Sequence, residues 1–334
     1  MKCLIALLVI FLASINLPVR SQNPPPEVSG DEVLRVNTTL VTVPVTVKNR
    51  AGGYIANLRR EDFRVYENGI GQQIAHFETP EAPVTVALLL DASDSTRIKL
   101  KNIQDAAIAF VNQLHPEDHI AVVAFDKEVV TLVAFTADRT VTANAIRRVQ
   151  SGGGTSLYDA IETVLTGQLK RTNGRKALVL LTDGMDTSST QATLETTLRL
   201  IEEMDTLIYP IQYNSYDDLL GKQLSSENNQ TGAVIYAMPS GESIHTAYAR
   251  ATRYLHLTAE NSGGKFYYAS SLKNLERSFA QIAEELRQQY VLGYYPTNQG
   301  SKKEKRRIRL TVSNPEGEIH ARESYLYKPD QSPR

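Results

Sequence analysis

Cysteine is almost missing from this 334-residue chain: Cys3 is the only one, and it lies too near the start to follow an apolar stretch as a lipoprotein acceptor would. A mature chain without it has no disulfide, no thiol nucleophile and no cysteine-based metal site. Neither sign of charge is in excess: the formal net charge is -1, which gives no global pull toward nucleic acid or anionic lipid. The six histidines show no metallopeptidase spacing. No Gly-x-Ser-x-Gly elbow is present, and Gly152-Gly-Gly-Thr155 lacks the lysine of a phosphate loop. One long apolar run exists, over 3–17, and it is short for crossing a bilayer. What remains is the composition of an ordinary soluble globular protein, 42% hydrophobic and 22% charged.

The N-terminus is informative. Met1-Lys2 precedes the apolar run, and Pro18-Val19-Arg20-Ser21-Gln22 follows it. A basic start, a short apolar core and small residues predict a cleaved secretory signal over 1–21, with Ala13 and Ser14 as the alternative site. A proline-rich linker over 22–30 follows. Export without disulfides suits a secreted or periplasmic bacterial protein, with no stable membrane span in the mature chain.

Two rhythms divide the rest. Over 31–80 the pattern is β: Val41, Val43, Val45 and Val47 alternate with Thr42, Pro44 and Thr46, which predicts a half-buried strand with Pro44 at a sheet edge. Asn68-Gly69 predicts a hairpin. From Val84 strands and helices alternate. Apolar runs over 84–90, 119–125 and 176–182 read as buried strands, and 129–135 as an antiparallel edge. Helical spacing marks 99–114, 143–149, 157–169, 194–204, 248–261 and 272–288, with Gly263-Gly264 suited to a C-cap. The polar stretch 214–242 interrupts this rhythm as a long insertion. Beyond it, 289–328 returns to β, with strands over 290–295, 307–312 and 319–327. Neither terminal β segment has enough strands for a two-layer core alone. The predicted fold is therefore α/β, a doubly wound, mostly parallel sheet inserted into a β-sandwich built from both segments.

The oxygen-bearing side chains sit at the boundaries of these elements. Asp91, Ser93 and Ser95 close the first buried strand, Thr155 follows a glycine run, and Asp183 ends the third buried strand. Strand C-termini of an open parallel sheet are where ligands collect. Two carboxylates with three hydroxyls, without sulfur or imidazole, form a hard donor set suited to Mg²⁺ or Mn²⁺. Taken singly, each piece also fits a helix cap or a strand-end turn. Taken together, in this order, they carry the chemistry. An aspartyl phosphotransferase also places Asp at a strand end, but its second carboxylate two residues on is replaced here by Ser93.

This order and spacing resembles the metal-ion-dependent adhesion site of von Willebrand factor A domains, over about 84–288. The resemblance implies a Rossmann-like domain in which Ser93, Ser95 and Thr155 supply hydroxyl ligands, while Asp91 and Asp183 hold the ion directly or through water. It also implies a protein partner presenting Asp or Glu to an ion with an open coordination position. Because the sequence offers no base or nucleophile near Asp91, no catalysis is expected, the alternatives being a Mg²⁺-dependent hydrolase or phosphotransferase, or a scaffold with a vestigial site. Asp94 stands where the family often has glycine. It either adds a carboxylate beside the ion or caps the helix that starts near Thr96, the latter being the preferred reading. Asp186 reads as a solvated turn carboxylate. The basic run over 302–307 reads as a solvated hairpin tip and not as a nucleic-acid site.

Overall fold

The computed structural model describes residues 40–94, 96–97, 99–214, 241–314 and 316–329. The signal and linker, Ser95 and nearly all of the 214–242 insertion lie outside the described residues.

Six strands form the central sheet: β5 (Val84–Asp91), β6 (His119–Phe125), β7 (Val129–Thr136), β8 (Arg175–Thr182), β9 (Leu207–Tyr213) and β10 (Tyr267–Ala269), in the order β10-β9-β8-β5-β6-β7. All neighbours are parallel except β6 and β7. Their unbroken apolar sequences follow from burial on both faces: every residue of β8 is buried. Helices α1 (Leu100–Gln113), α2 (Arg139–Arg147) and α6 (Leu272–Arg287) pack on one face, through a core including Phe110, Ile146 and Phe279. Helices α3 (Leu157–Thr163), α4 (Leu194–Glu203) and α5 (Ile244–Ser262) cover the other, around Leu89, Ile161 and Leu255. The chain leaves β5 toward β6 on one side and later returns to β8 on the other. The C-terminal ends of β5 and β8 are therefore the topological switch point, where a crevice opens for ligands.

Two further four-stranded sheets combine the terminal segments. One has the order β13-β1-β11-β4, the other β14-β12-β2-β3, with β1 (Val41–Lys48), β2 (Phe63–Glu67), β3 (Ile70–Gln72) and β4 (Ile74–Glu78) from the N-terminal side. Strands β11 (Tyr290–Tyr294), β12 (Glu304–Val312), β13 (Glu318–Ala321) and β14 (Ser324–Tyr327) come from the C-terminal side. Val43, Val45, Phe63, Val65, Leu292, Ile308 and their neighbours fill the space between the sheets. The hairpin at Asn68-Gly69 forms, with φ of 47° and 85° at its two residues, the left-handed values a tight hairpin turn requires.

Several expectations need correction. Strand β1 is not an edge: it pairs with β11 over Val41 to Val45 and with β13 over Val45 to Lys48. Pro44 is tolerated because β13 does not reach it. Nor is β1 half-buried, since Pro44 and Thr46 are covered as well. Residues 319–327 do not form one strand; the chain breaks at Arg322-Glu323 and changes sheet. Helix α1 starts at Leu100, because Asp94, Thr96, Arg97 and Lys99 lie in turns, with Thr96 N–H and Oγ1 both donating to the Ser93 carbonyl. Helices α2 and α5 begin earlier than their apolar spacing suggested, at the caps Asp138 and Ser243.

The basic run is solvent-exposed as expected at Lys302, Lys303, Lys305 and Arg307, but not at Arg306. Arg306 is buried in the sandwich, where its guanidinium donates to Glu67 Oε1 (2.8 Å), while Tyr294 and Tyr325 hydroxyls donate to Glu67 Oε2 at 2.8 and 2.7 Å. Lys303 pairs with Glu203 and Lys305 with Glu202 (2.7 Å), so α4 is tied to the sandwich. Arg175, also buried, holds both connections between sandwich and sheet: it donates to the carbonyls of Pro80 and Ala82 on the way in and of Leu286 on the way out.

The Glu67–Arg306 pair gives a stability prediction. Glu67→Ala leaves the buried Arg306 guanidinium with only Glu304 as a carboxylate partner and takes the acceptor from two tyrosine hydroxyls, and should lower stability by on the order of 3–5 kcal/mol in equilibrium urea unfolding. The double change Glu67→Leu with Arg306→Met should recover most of that loss, because it removes both charges. An unchanged urea midpoint in Glu67→Ala would show that the pair holds nothing together.

Candidate metal site at the sheet switch point

Asp91 is the last residue of β5, in register with Phe125 of β6. Its neighbour Leu90 lies opposite Leu181 of β8, so Asp91 and the Thr182-Asp183 end of β8 arrive at the same level. Asp91 is fully buried. Its Oδ1 accepts from the Ser93 N–H at 2.9 Å and its Oδ2 from Thr182 Oγ1 at 2.6 Å. Thr182 Oγ1 in turn accepts from the Gly184 N–H at 3.0 Å, which couples the two strand ends. Asp183 is 2% exposed; its Oδ1 accepts from the Met185 N–H and its carbonyl from Gln212 Nε2. Gly184 adopts φ +85°, and a Cβ there would press against Leu255 and Ala251 of α5. A side chain at 184 is excluded on both counts.

The glycine run brings Thr155 to these strand ends. Gly152 N–H donates to the Ala92 carbonyl at 2.8 Å, and a Cβ on Gly152 would lie 1.6 Å from Asp126 Oδ2. Only glycine lets the loop approach so closely. Ser156 N–H donates to the Asp126 carbonyl at 2.6 Å. On the other side, Thr155 N–H donates to Thr187 Oγ1, and its carbonyl accepts from the Thr187 and Ser188 N–H groups, all at 2.9 Å. Thr155 is thus stitched between the loops that follow β5, β6 and β8, and is 5% exposed. Ser93 is buried beside Asp91, whereas Asp94 is exposed. Asp94 does not cap α1: the N-cap position is Lys99, without a side-chain bond.

Residues that sequence reasoning passed over hold this arrangement. Asp159 of α3 accepts from the N–H groups of Thr190, Gln191 and Ala192, fixing the loop beyond Asp183. Asp186 is no solvated turn residue: it accepts from Tyr158 N–H (3.3 Å) and Ser189 Oγ (2.5 Å), and burial holds its carboxyl above the usual range. The sequence signal for both was the hydroxyl-rich run over 187–190, which needs acceptors and shapes a loop.

The electrostatics suit a cation. Burial, and then repulsion from the Asp183 carboxylate, push Asp91 up to about 7, against the pull of hydrogen bonds from Ser93 and Thr182. Two carboxylates held together out of water favour a proton or a positive ion between them. Among the described residues no group of three or more histidine, cysteine or carboxylate side chains could hold a metal. The donors at this point are carboxylate and hydroxyl oxygens, which fit a hard divalent ion.

Residues 86–185 match the family model described as von Willebrand factor type A domain. Similar solved structures include a von Willebrand factor type A protein from Catenulispora acidiphila, 13% identical, covering 87% of this chain and 74% of that one, with a TM-score of 0.47. A second is the vWF domain of the pilus tip protein Mfa5 from Porphyromonas gingivalis, 15% identical, covering 60% and 94%, with a TM-score of 0.42. A third is proximal thread matrix protein 1 of the mussel byssus, described with a zinc-occupied MIDAS motif, 16% identical, covering 65% and 48%, with a TM-score of 0.46. No curated protein matches the chain in sequence.

A pH dependence follows from the carboxylate pair. Asp91 has a folded value above its unfolded one, so in chelator its contribution falls as pH rises from about 4 to about 7 and is fully unfavourable above. Asp91→Asn should therefore be more stable than wild type at pH 8 by a few kcal/mol in chelator, with the gap closing by pH 4. Thermal unfolding across pH reads this directly, and a gap independent of pH would contradict it. Gly152→Ala should disrupt the Thr155 loop, seen as faster amide exchange over 152–156.

Proposed function

We propose that the von Willebrand factor type A domain carried by this chain is an exported, divalent-cation-dependent protein-binding module. In this reading the domain spans 84–288, framed by β segments over 31–80 and 289–328, and residues 1–21 direct export to the cell envelope or beyond. Among the described residues no helix is long and apolar enough to cross a membrane.

The observation that carries the proposal is the convergence of Asp91, Ser93, Thr155 and Asp183 at the switch point, on loops bonded to one another. The family match spans these positions and Ser95. Asp91 and Asp183 would bring the negative charge that holds Mg²⁺ or Mn²⁺, and Ser93, Ser95 and Thr155 would bring neutral hydroxyl oxygens. When bound, the ion supplies an electrophilic centre for an Asp or Glu of a protein partner. Thr182 fixes the Asp91 carboxylate by donating to it, and Thr187 fixes Thr155 through its backbone. Asp94 is exposed next to Ser93, and its negative charge would disfavour weakly bound acidic groups.

We read the site as one for binding and not for reaction. The polar groups around Asp91 are spent as donors and acceptors that fix the loops: Thr182 on Asp91, Thr187 and Ser188 on Thr155. None is left as an obvious paired base and nucleophile.

Calorimetry of the mature protein with Mg²⁺ and Mn²⁺ tests the site. Wild type should bind, and Asp91→Ala and Thr155→Ala should each lose about tenfold or more in affinity. Absence of binding in wild type would make the site vestigial. Capture of envelope proteins on immobilised wild type, but not in chelator or on Asp91→Ala, would then identify the acidic partner.

A further inference from the structure

The outward face of the sheet β14-β12-β2-β3 carries a row of cations, two of which have no carboxylate partner among the described residues. Strand β12 alternates buried Arg306 and Ile308 with exposed Lys305, Arg307 and Arg309. Beside it, β2 presents Arg64 and Tyr66 on the same face, with Arg309 opposite Tyr66 and Thr311 opposite Arg64. Lys305 has Glu202 as a partner, but among the described residues neither Arg307 nor Arg309 pairs with a carboxylate. The Arg309 guanidinium lies over the Tyr66 ring, 4.7 Å from its centre, and so is held in place while its donors stay open. Asn68 Oδ1 accepts from the Arg307 N–H and fixes the strand at the adjoining turn. Tyr66, Asn68, Lys305, Arg307, Arg309 and Ser324 line an open trough of about 850 Å³, with Glu323 among its walls.

We propose that this trough is a second binding surface, separate from the metal site, for an extended acidic segment of a protein partner. Spacing is the first argument. Side chains at alternate positions of a strand are about 6.7 Å apart, so Arg307 and Arg309 match carboxylates two residues apart in an extended peptide laid along β12, with Lys305, held by Glu202, extending the row. Each pairing is a charge-assisted hydrogen bond, and a guanidinium can take a carboxylate with two donors. Chemistry is the second argument. A single-stranded nucleic acid needs open aromatic faces for its bases, and the face of Tyr66 is covered by Arg309. A lipid surface is met best by protruding cations with apolar neighbours, whereas these line a recess with an amide and a hydroxyl. Glu323 repels a carboxylate at its end of the trough, which limits the registers an acidic strand can take.

The proposal is tested in chelator, so that its outcome is independent of the metal site. The probe is a labelled peptide of about eight residues alternating Glu and Thr, compared with one of the same composition carrying its glutamates in a block. Fluorescence anisotropy should show the alternating peptide binding about tenfold more tightly than the block peptide, and weakening as salt rises. Arg307→Ala with Arg309→Ala should reduce its affinity about tenfold, with circular dichroism unchanged because both side chains are exposed. Equal binding of the two peptides would overturn the proposal. So would undiminished binding by the double variant, or tighter binding of a single-stranded oligonucleotide or of phosphatidylglycerol vesicles than of the alternating peptide.

Discussion

Asp91 and Asp183 stand at the ends of neighbouring strands, both almost wholly removed from water and close enough to repel. A folded chain keeps such a pair only where something else compensates, and the surroundings are organised around that need. Thr182 and the Ser93 N–H donate to Asp91, and the Met185 N–H donates to Asp183. The loops after β5, β6 and β8 are bonded to one another through Gly152, Ser156 and Thr155, so the carboxylates cannot swing apart to relieve their repulsion. Rigidity here serves affinity: donors already held in place lose little freedom when a cation arrives.

Much of this was legible because strand ends and glycines are local signals. The apolar runs ending in Asp91 and Asp183 marked buried parallel strands, and the Gly152 run marked a loop that had to come close to something. The sequence pattern could not say what it came close to; that is Ala92 and the Asp126 side chain, reached only in the folded sheet. The start of α1 was misplaced for a related reason. A helix was expected near Thr96, but its hydroxyl closes a turn onto Ser93, and the helix begins at Leu100. Asp159 and Asp186 were missed as supports because their partners are backbone groups of a loop distant in sequence.

The errors in the β regions share one cause, which is that strands here change sheet. Residues 319–327 read as one strand, yet the chain there crosses from one layer of the sandwich to the other, as it also does between β3 and β4. Alternation of apolar and polar residues says which face is buried, not which sheet owns the strand. Likewise Pro44 forbids a hydrogen bond on one side only, and a short neighbour such as β13 satisfies it as well as a true edge does. Arg306 was hidden inside a run of exposed cations, and its burial with Glu67, Glu304 and Tyr327 as partners distinguishes it from Arg307 beside it.

Strand β1 pairs with β11 and β13, both of which lie beyond the whole central sheet in the chain. During synthesis, β1 precedes both partner strands and has neither until Tyr290 and the residues after it appear. The parallel sheet can close meanwhile from its own consecutive units, so the sandwich is the last part to assemble. A chain built this way delays its most distant pairings to the end of its folding. Until then the valine-rich strand β1 lacks both of its ladder partners, and an unpaired strand of that kind is open to pairing with another chain.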